Sequence, residues 1–216
     1  ISLKTGFKKK KFVSRGGLKL EAALTSFEID VTDQVCLDLG ASTGGFTDCL
    51  LKRGARSVYA IDVGYGQLDW SLRNDPRVIV KERLNARFLS PDMLYGKDHP
   101  SATFACIDCS FISLAKIIPV LAPNMASINT GSVCLVKPQF EAGYSKVKKG
   151  VVRDPSVHIQ VLEEVKTFAH QSGLILTKTT FSPVKGPKGN IEYLVHLEST
   201  GEAVDSFQSI VDQAIK

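Results

Sequence analysis

The sequence predicts an α/β domain built on a mostly parallel sheet with helices on both faces. Short apolar runs rich in Val, Ile and Leu alternate with segments in which apolar residues recur at helical spacing. Several of these runs are apolar without interruption, as in strands that are buried on both faces. The length of 216 residues suits one such domain with a short appendage.

The individual elements follow from these patterns in chain order. The first is a helix over residues 17–27, where apolar residues recur at roughly helical spacing. Strands are predicted at 35–39, 57–62, 78–81, 103–108, 132–137, 174–183 and 192–197. Further helices are predicted at 45–53, 68–74, 114–121, 155–171 and 202–215. A turn-rich segment separates the last two strands, so we expect a seven-stranded sheet with one antiparallel edge strand.

Residues 12–216 are interpreted as one domain, and residues 1–11 as a basic linker or tail that carries a lysine run. The 27 Lys and Arg residues against 22 Asp and Glu residues give a net charge of +5. This charge permits a polyanionic partner without requiring one. A second basic cluster contains Lys146, Lys148, Lys149 and Arg153. Taken alone, each cluster is interpreted first as a solvated surface or a mobile tail.

The sequence predicts neither a metal centre nor a membrane segment. Cys106 and Cys109 form a C-x-x-C pair, but no second pair and no nearby histidine completes a ligand set. The five cysteines are an odd number and several lie in apolar runs, which indicates small buried side chains in a reducing compartment. No apolar stretch approaches membrane-spanning length and no signal-peptide pattern is present, so we expect a cytoplasmic protein.

A glycine-rich segment after the first strand predicts a cofactor site. In Asp38-Leu39-Gly40-Ala41-Ser42-Thr43-Gly44-Gly45-Phe46-Thr47, a buried strand leads into a tight turn that opens a helix. Open α/β sheets bind ligands at this end of their strands. Asp62 closes the next strand, where a carboxylate can accept hydrogen bonds from ribose hydroxyls. The spacing G-x-x-x-G-G differs from the dinucleotide pattern G-x-G-x-x-G, and Asp38 suits a sulfonium-bearing amino acid better than a pyrophosphate.

These features indicate a pocket for S-adenosyl-L-methionine, and a purely structural strand-to-helix turn is the alternative. The predicted cofactor residues are Asp38, Gly40, Ser42, Thr43, Gly44, Gly45, Phe46, Asp62, Leu84 and Asn85. The last two follow the third predicted strand, where Asn85 could hydrogen-bond the adenine edge and Leu84 could pack on its face. A plain surface turn is the alternative for these two residues.

Two lysines and two acids are expected to converge near this pocket. Asp108 and Lys137 end the fourth and fifth predicted strands, at the edge of the sheet that also holds Gly40. Glu192 begins the last strand and reaches the same edge if that strand runs antiparallel, and Lys19 lies in the N-terminal helix. Because burial of a lone ammonium is costly, we expect Asp108 and Glu192 to hold Lys137 in place. Structural ion pairs without a catalytic role are the alternative.

Six motifs resemble a known enzyme family. They are Ser14-Arg15-Gly16-Gly17-Leu18-Lys19-Leu20, the Asp38 to Thr47 segment, Ile107-Asp108-Cys109-Ser110-Phe111, Val136-Lys137-Pro138-Gln139-Phe140-Glu141, Gly150-Val151-Val152-Arg153-Asp154-Pro155 and Gly186-Pro187-Lys188-Gly189-Asn190-Ile191-Glu192-Tyr193. Together they are similar to the ribosomal RNA 2′-O-methyltransferases often labelled TlyA or hemolysin A, whose catalytic domain is of the FtsJ/RrmJ type. The resemblance implies a Rossmann-like class I S-adenosylmethionine-dependent methyltransferase fold.

The resemblance also implies a function. It places the family's catalytic tetrad on Lys19, Asp108, Lys137 and Glu192. The methyl donor would be S-adenosyl-L-methionine, and the acceptor a ribose 2′-hydroxyl of ribosomal RNA, expected to be that of a cytidine. Family members carry a small N-terminal RNA-binding domain, so residues 1–11 are interpreted as the tail of such a domain that this sequence lacks. Ribosomal RNA or ribosomal subunits are the expected partners.

Two roles stay open for Lys137: it accepts the proton of the 2′-hydroxyl, or it stabilises the developing alkoxide, with Lys19 as a second positive charge. The basic residues expected to contact phosphates and to make binding salt-sensitive are Arg15, Lys146, Lys148, Lys149, Lys185 and Lys188. Two other functions remain as alternatives: a methyltransferase of the same fold that acts on a small molecule, and a membrane-active hemolysin. The sequence does not indicate the oligomeric state.

Overall fold

The computed structural model of the chain describes residues 11–95, 100–125 and 131–216, so residues 1–10 of the predicted tail lie outside the description. The strands are β1 (Val35–Leu39), β2 (Ser57–Ile61), β3 (Val78–Lys81), β4 (Phe104–Ile107), β5 (Ser132–Val136), β6 (Ile175–Phe181) and β7 (Tyr193–Glu198). The helices are α1 (Gly16–Ser26), α2 (Gly45–Lys52), α3 (Trp70–Arg73), α4 (Pro91–Leu94), α5 (Pro138–Glu141), α6 (Pro155–Gln171) and α7 (Gln208–Ile215). The strands form one sheet in the order β3-β2-β1-β4-β5-β7-β6.

The predicted alternation of strands and helices is confirmed, but two predicted helices differ from the structure. The helix predicted over residues 114–121 is wrong, because that stretch forms short 3₁₀ turns. Pro119 and Pro123 account for this, since proline has no N–H to donate inside an α-helix. The last helix begins at Gln208 rather than at residue 202. The segment before it is irregular, and the N–H of Val204 in this segment donates to the carbonyl of Leu176 in β6, at 2.9 Å.

The first five strands are parallel, and β7 pairs antiparallel with both β5 and β6. The antiparallel pairing of the last two strands is therefore confirmed, but β7 lies one place inside the edge and β6 forms the edge. Burial explains this order, because β7 is buried over all but its last residue whereas most of β6 is half-exposed. Tyr193 lies opposite Val136 at the end of β5. Glu192, the residue before Tyr193, is thereby brought to the C-terminal edge of the parallel strands.

Helices cover both faces of the sheet, as predicted. On one face α1 and α2 pack together and bury Leu20, Leu24 and Leu50. On the other face α6 and α7 bury residues such as Val165 and Val211. Within the described residues, none of the helices combines the length and the apolar character needed to span a bilayer.

Candidate active site

The glycine-rich segment between β1 and α2 forms a tight loop at the C-terminal edge of the sheet. The N–H groups of Gly40 and Ala41 both donate to the carbonyl of Ile61 at the end of β2, at 2.9 and 3.0 Å. Gly40 and Gly44 have φ angles of 88° and 93°, a region that glycine adopts without steric cost. The predicted tight turn is thus present, and α2 begins directly after it.

A cavity of about 440 Å³ lies beside this loop. Asp62 and Asp108 are its acidic lining residues. The two carboxylate oxygens of Asp62 accept hydrogen bonds from the backbone N–H groups of Ser42 and of residue 64, each at 2.7 Å. Each oxygen keeps a lone pair, so Asp62 can also accept hydrogen bonds from ligand hydroxyls. Leu84 and Asn85 line the same cavity. Asn85 Oδ1 accepts a hydrogen bond from the N–H of Arg87 at 3.1 Å, which leaves the amide nitrogen as a donor.

The predicted cofactor residues divide into three groups. Those that line the first cavity are Gly40, Ser42, Asp62, Leu84 and Asn85. Those that line an adjoining second cavity, together with Gly40 and Ser42, are Thr43, Gly45 and Phe46. Gly44 caps the N-terminus of α2, and Asp38 lies in neither cavity wall.

Asp38 is fully buried beneath the loop, so its position does not support the predicted contact with a bound ligand. Its Oδ2 accepts a hydrogen bond from Thr47 Oγ1 at 2.6 Å, whereas Oδ1 has no nitrogen or oxygen donor among the described residues. Burial raises the pKa of Asp38 to about 7, because the charged carboxylate is poorly solvated there. The hydrogen bond from Thr47 lowers the pKa in part, and the negative charge of Asp108 raises it further.

We expect Asp38 to make the free energy of unfolding fall as the pH rises from about 4 to about 7. In this range the folded state keeps a proton on Asp38, whereas the unfolded chain has released it near the ordinary pKa of 3.8. The folded state therefore binds more protons, and a higher pH favours unfolding. Urea denaturation at a series of pH values should show this slope for the wild type and for the exposed-acid control Asp205→Asn. An unchanged slope in Asp38→Asn would contradict the prediction.

The second cavity, of about 340 Å³, brings the predicted catalytic residues together. It is lined by all four of them, Lys19, Asp108, Lys137 and Glu192. The residues that line both cavities are Gly40, Ser42, Asp108, Ser110 and Phe111, so the two cavities adjoin. The sheet order explains the convergence, because β1, β4, β5 and the start of β7 are neighbours.

The four charged residues form two separate ion pairs. Lys137 Nζ lies 2.6 Å from Asp108 Oδ1 and donates to Ser110 Oγ at 2.7 Å. Lys19 Nζ lies 2.5 Å from Glu192 Oε2. Glu192 therefore neutralises Lys19 and not Lys137, contrary to expectation. The reason is that Lys19 lies on the buried side of α1, from which its side chain reaches Glu192, the residue that precedes β7.

Ser110 and Gln139 were not assigned a role from the sequence, although each is hydrogen-bonded to one of the four charged residues. Ser110 accepts the hydrogen bond from Lys137, and Gln139 Nε2 donates to Glu192 Oε1 at 3.3 Å. Each follows a strand-terminal charged residue by two positions, Ser110 after Asp108 and Gln139 after Lys137. A polar residue at that spacing is the sequence signal that could have identified them.

An aromatic pair stands at the mouth of the second cavity. Phe111 is 89% exposed and has a φ of 62°, which is rare for a bulky residue. The centroids of the Phe111 and Phe140 rings are 4.9 Å apart. Lys137 Nζ lies 6.0 Å from the Phe140 ring. Aromatic surface is therefore presented to solvent directly beside the charged residues.

The six basic residues predicted to contact phosphates do not lie together in one cavity. Arg15 lines the second cavity, and Lys149 lines a third. The remaining residues, Lys146, Lys148, Lys185 and Lys188, are exposed on two loops around residues 144–150 and 183–190. Contact with phosphates stays a prediction for all six.

Within the described residues, no group of three or more His, Cys, Asp or Glu side chains is arranged to hold a metal ion. All five cysteines are free thiols. Four of them are buried, as the sequence predicts, and Cys109 is half-buried in the wall of the first cavity.

The chain is similar to an enzyme family and to solved structures. The model of the FtsJ-like methyltransferase family matches residues 12–199. The chain is 52% identical over 195 residues to YqxC, a candidate rRNA methyltransferase of Bacillus subtilis, across 89% of this chain and 67% of that protein. It is 46% identical over 202 residues to the 16S/23S rRNA (cytidine-2′-O)-methyltransferase TlyA of Mycobacterium tuberculosis, across 93% of this chain and 74% of that protein. The crystal structure of a candidate hemolysin from Lactococcus lactis has a TM-score of 0.91 and 43% identity, across 96% of this chain and 100% of that one.

Proposed function

The chain belongs to the FtsJ-like methyltransferase family, and on this premise we propose that it transfers a methyl group from S-adenosylmethionine to a ribose 2′-hydroxyl of ribosomal RNA. Its 46% identity to an rRNA (cytidine-2′-O)-methyltransferase supports cytidine as the target nucleoside. The observation that carries the proposal is that the two cavities adjoin and share five lining residues. Asp62 lines the first cavity, Lys137 lines the second, and Asp108 lines both. Transfer of a methyl group between two bound nucleosides requires such neighbouring sites.

The first cavity has the residues that S-adenosylmethionine needs. Asp62 can accept hydrogen bonds from ribose hydroxyls, the amide nitrogen of Asn85 can donate to the adenine edge, and Leu84 and Ile117 supply apolar surface. When bound, S-adenosylmethionine supplies an electrophilic methyl group on a positively charged sulfur. Asp108 and Gly40 belong to both cavities and mark where the two ligands meet.

We expect Gly40→Ala to lower the affinity for S-adenosylmethionine by roughly tenfold or more, because the side chain strains the backbone of the loop and displaces the strand ends that line the cavity. A Cβ at Gly40 would lie 2.8 Å from the carbonyl oxygen of Asp108 and 2.9 Å from its carbonyl carbon. Because these are backbone atoms, the clash is relieved only if the ends of β1 and β4 move apart at the site. Isothermal titration with S-adenosylhomocysteine measures the loss.

The matched control is Gly173→Ala. Gly173 also has a positive φ, of 75°, but an added Cβ would meet no atom within 4 Å. Both variants carry the same kind of backbone strain, and only Gly40→Ala displaces the strand ends. Equal ligand affinity in the two variants would refute the structural explanation.

Lys137 is proposed to activate the acceptor hydroxyl. Asp108 and Ser110 engage two of its N–H groups. In the ammonium form one N–H remains for the 2′ oxygen, where the positive charge stabilises the developing alkoxide. In the amine form the lone pair remains and can accept the 2′ proton. In both forms Asp108 and Ser110 fix the direction of Lys137.

The Lys19–Glu192 pair positions the N-terminal helix over the cleft. Both side chains are nearly inaccessible to solvent, and Glu192 also accepts a hydrogen bond from Gln139, which lies two residues after Lys137. This pair connects α1 to the start of β7 and so holds Arg15 at the wall of the second cavity. Arg15 is thereby in place to contact a phosphate of the acceptor strand.

An RNA acceptor agrees with the surface around the cleft. Exposed aromatic rings such as Phe111 stack with unpaired bases, and single-stranded RNA is recognised in this way. A small-molecule acceptor would instead favour an apolar pocket that encloses it. The residues that line the second cavity include two lysines, an arginine and two acids.

The direct test uses the protein with labelled S-adenosylmethionine and three acceptors: intact ribosomal subunits, free ribosomal RNA and an RNA-free mixture of small metabolites. We expect label in RNA at one nucleotide that resists alkaline cleavage, because a 2′-O-methyl group removes the attacking hydroxyl. Label on a base would contradict the ribose chemistry. Label in the RNA-free mixture would support the small-molecule alternative.

A further inference from the structure

A third cavity, of about 760 Å³, adjoins the first cavity, with which it shares Asn85, Phe111 and Ile112. It shares Phe111, Gln139 and Phe140 with the second cavity, so the two adjoin. None of the predicted catalytic residues lines it. Tyr144 and Lys149 line this cavity and neither of the other two, so it extends the site beyond the group that reacts.

One wall of this third cavity carries a solvent-exposed tyrosine. Tyr144 is 98% exposed and lies just beyond α5, which begins at the residue after Lys137. A ring with that exposure buries almost no apolar area and so contributes little to the stability of the fold. An exposed aromatic face next to a nucleoside site is suited to stack with a base.

A rigid turn presents a lysine beside this ring. Lys148 and Val151 exchange two backbone hydrogen bonds, each of 3.0 Å, and the two residues between them have positive φ angles, 53° for Lys149 and 83° for Gly150. This is the pattern of a two-residue hairpin turn. The buried side chain of Asn190 fixes the turn, since it donates to the carbonyl of Gly150 at 2.8 Å. Lys149 is thus held at the tip of an ordered turn.

The charges around the third cavity have one sign. Arg87, Lys116 and Lys149 line it, and none of its lining residues is acidic. Basic groups alternating with exposed aromatic rings form the combination that binds single-stranded nucleic acid, with cations at phosphates and rings at bases. The charge complementarity therefore favours a polyanion with bases over an apolar peptide.

We propose that the third cavity binds the nucleotide next to the methylated one, with its base on Tyr144 and its phosphate at Lys116 and Lys149. The inference rests on the proposed function and deepens it. Phe111 and Phe140 line both this cavity and the cavity of the four charged residues, so the neighbouring nucleotide lies across the aromatic pair from the reacting ribose. The subsite also explains why Tyr144 is exposed while the turn behind it is fixed.

Steady-state methylation of ribosomal subunits tests the stacking. Tyr144→Ala is expected to raise the KM for subunits roughly tenfold, with a smaller effect on kcat, because a base stacked on an aromatic ring is lost. Tyr144→Phe keeps the ring and should keep the KM of the wild type. The control Ile215→Ala removes an exposed apolar side chain from α7 and should leave both constants unchanged. Equal KM values for Tyr144→Ala and the wild type would overturn the inference.

A photo-crosslinking experiment tests the location. A chain with p-benzoylphenylalanine at position 144 is irradiated with subunits, and the crosslinked nucleotide is mapped by primer extension. We expect a crosslink to the nucleotide directly before or after the methylated one. A crosslink elsewhere in the RNA, or none, overturns the subsite while methylation of the RNA still stands. Absence of RNA methylation by the wild type would overturn the proposed function itself.

Discussion

Replacement of Lys137 by alanine is expected to lower the rate of methyl transfer by about 10²- to 10⁴-fold. The variant loses the group that contacts the acceptor oxygen, whether Lys137 acts by charge or by taking the proton. Binding of S-adenosylmethionine should remain nearly intact, because Lys137 lines the second cavity and not the first. The two readouts are labelled methyl incorporation into subunits and titration with S-adenosylhomocysteine.

Two further variants make the Lys137 experiment decisive. Lys166→Ala is the matched control, because Lys166 is also partly buried and donates to a backbone carbonyl, that of Val204, outside both cavities. Lys137→Arg keeps a positive charge that cannot accept a proton. Residual activity in Lys137→Arg above that of Lys137→Ala would support stabilisation of the alkoxide. Full activity of Lys137→Ala would refute the assignment altogether.

Removal of one member of the Lys19–Glu192 pair is expected to destabilise the fold by about 3–5 kcal/mol, because the other charge is left buried without a partner. The exposed fractions of the two side chains are 7% and 0%. Lys19→Met leaves the Glu192 carboxylate alone, with only Gln139 as a donor among the described residues. Urea denaturation should show the loss, and the double variant Lys19→Met/Glu192→Gln should regain much of the stability.

The exposed pair Lys11–Glu21 is the control for this effect. Its side chains are 61% and 21% exposed, and its N···O distance is 2.6 Å, close to that of the buried pair. Lys11→Met should cost less than about 1 kcal/mol, because solvent screens a surface ion pair. A similar loss in Lys11→Met and Lys19→Met would show that burial does not set the strength of the Lys19–Glu192 pair.

The candidate site could be predicted in large part because it lies at strand ends. Asp108 and Lys137 end two apolar runs, and the C-terminal ends of neighbouring parallel strands meet at one edge. The glycine loop and Asp62 could be predicted for the same reason, because they directly follow the C-terminal ends of β1 and β2. The contacts made by Ser110 and Gln139 could not be predicted in this way, because they depend on side-chain directions in the turns that follow the strands.

The sequence by itself determined the α/β fold with a mostly parallel sheet, the glycine loop and the four charged residues near it, and its resemblance to a known family implied the methyltransferase fold. These features depend on local apolar periodicity, on the residues that form turns and on short motifs of consecutive residues. Only the tertiary structure decided that Glu192 pairs with Lys19, that β7 lies inside β6, and that Asp38 is buried away from the cleft. Lys19 and Glu192 are 173 positions apart. Their pairing depends on how α1 and β7 pack against each other, and no local pattern in the sequence encodes that packing.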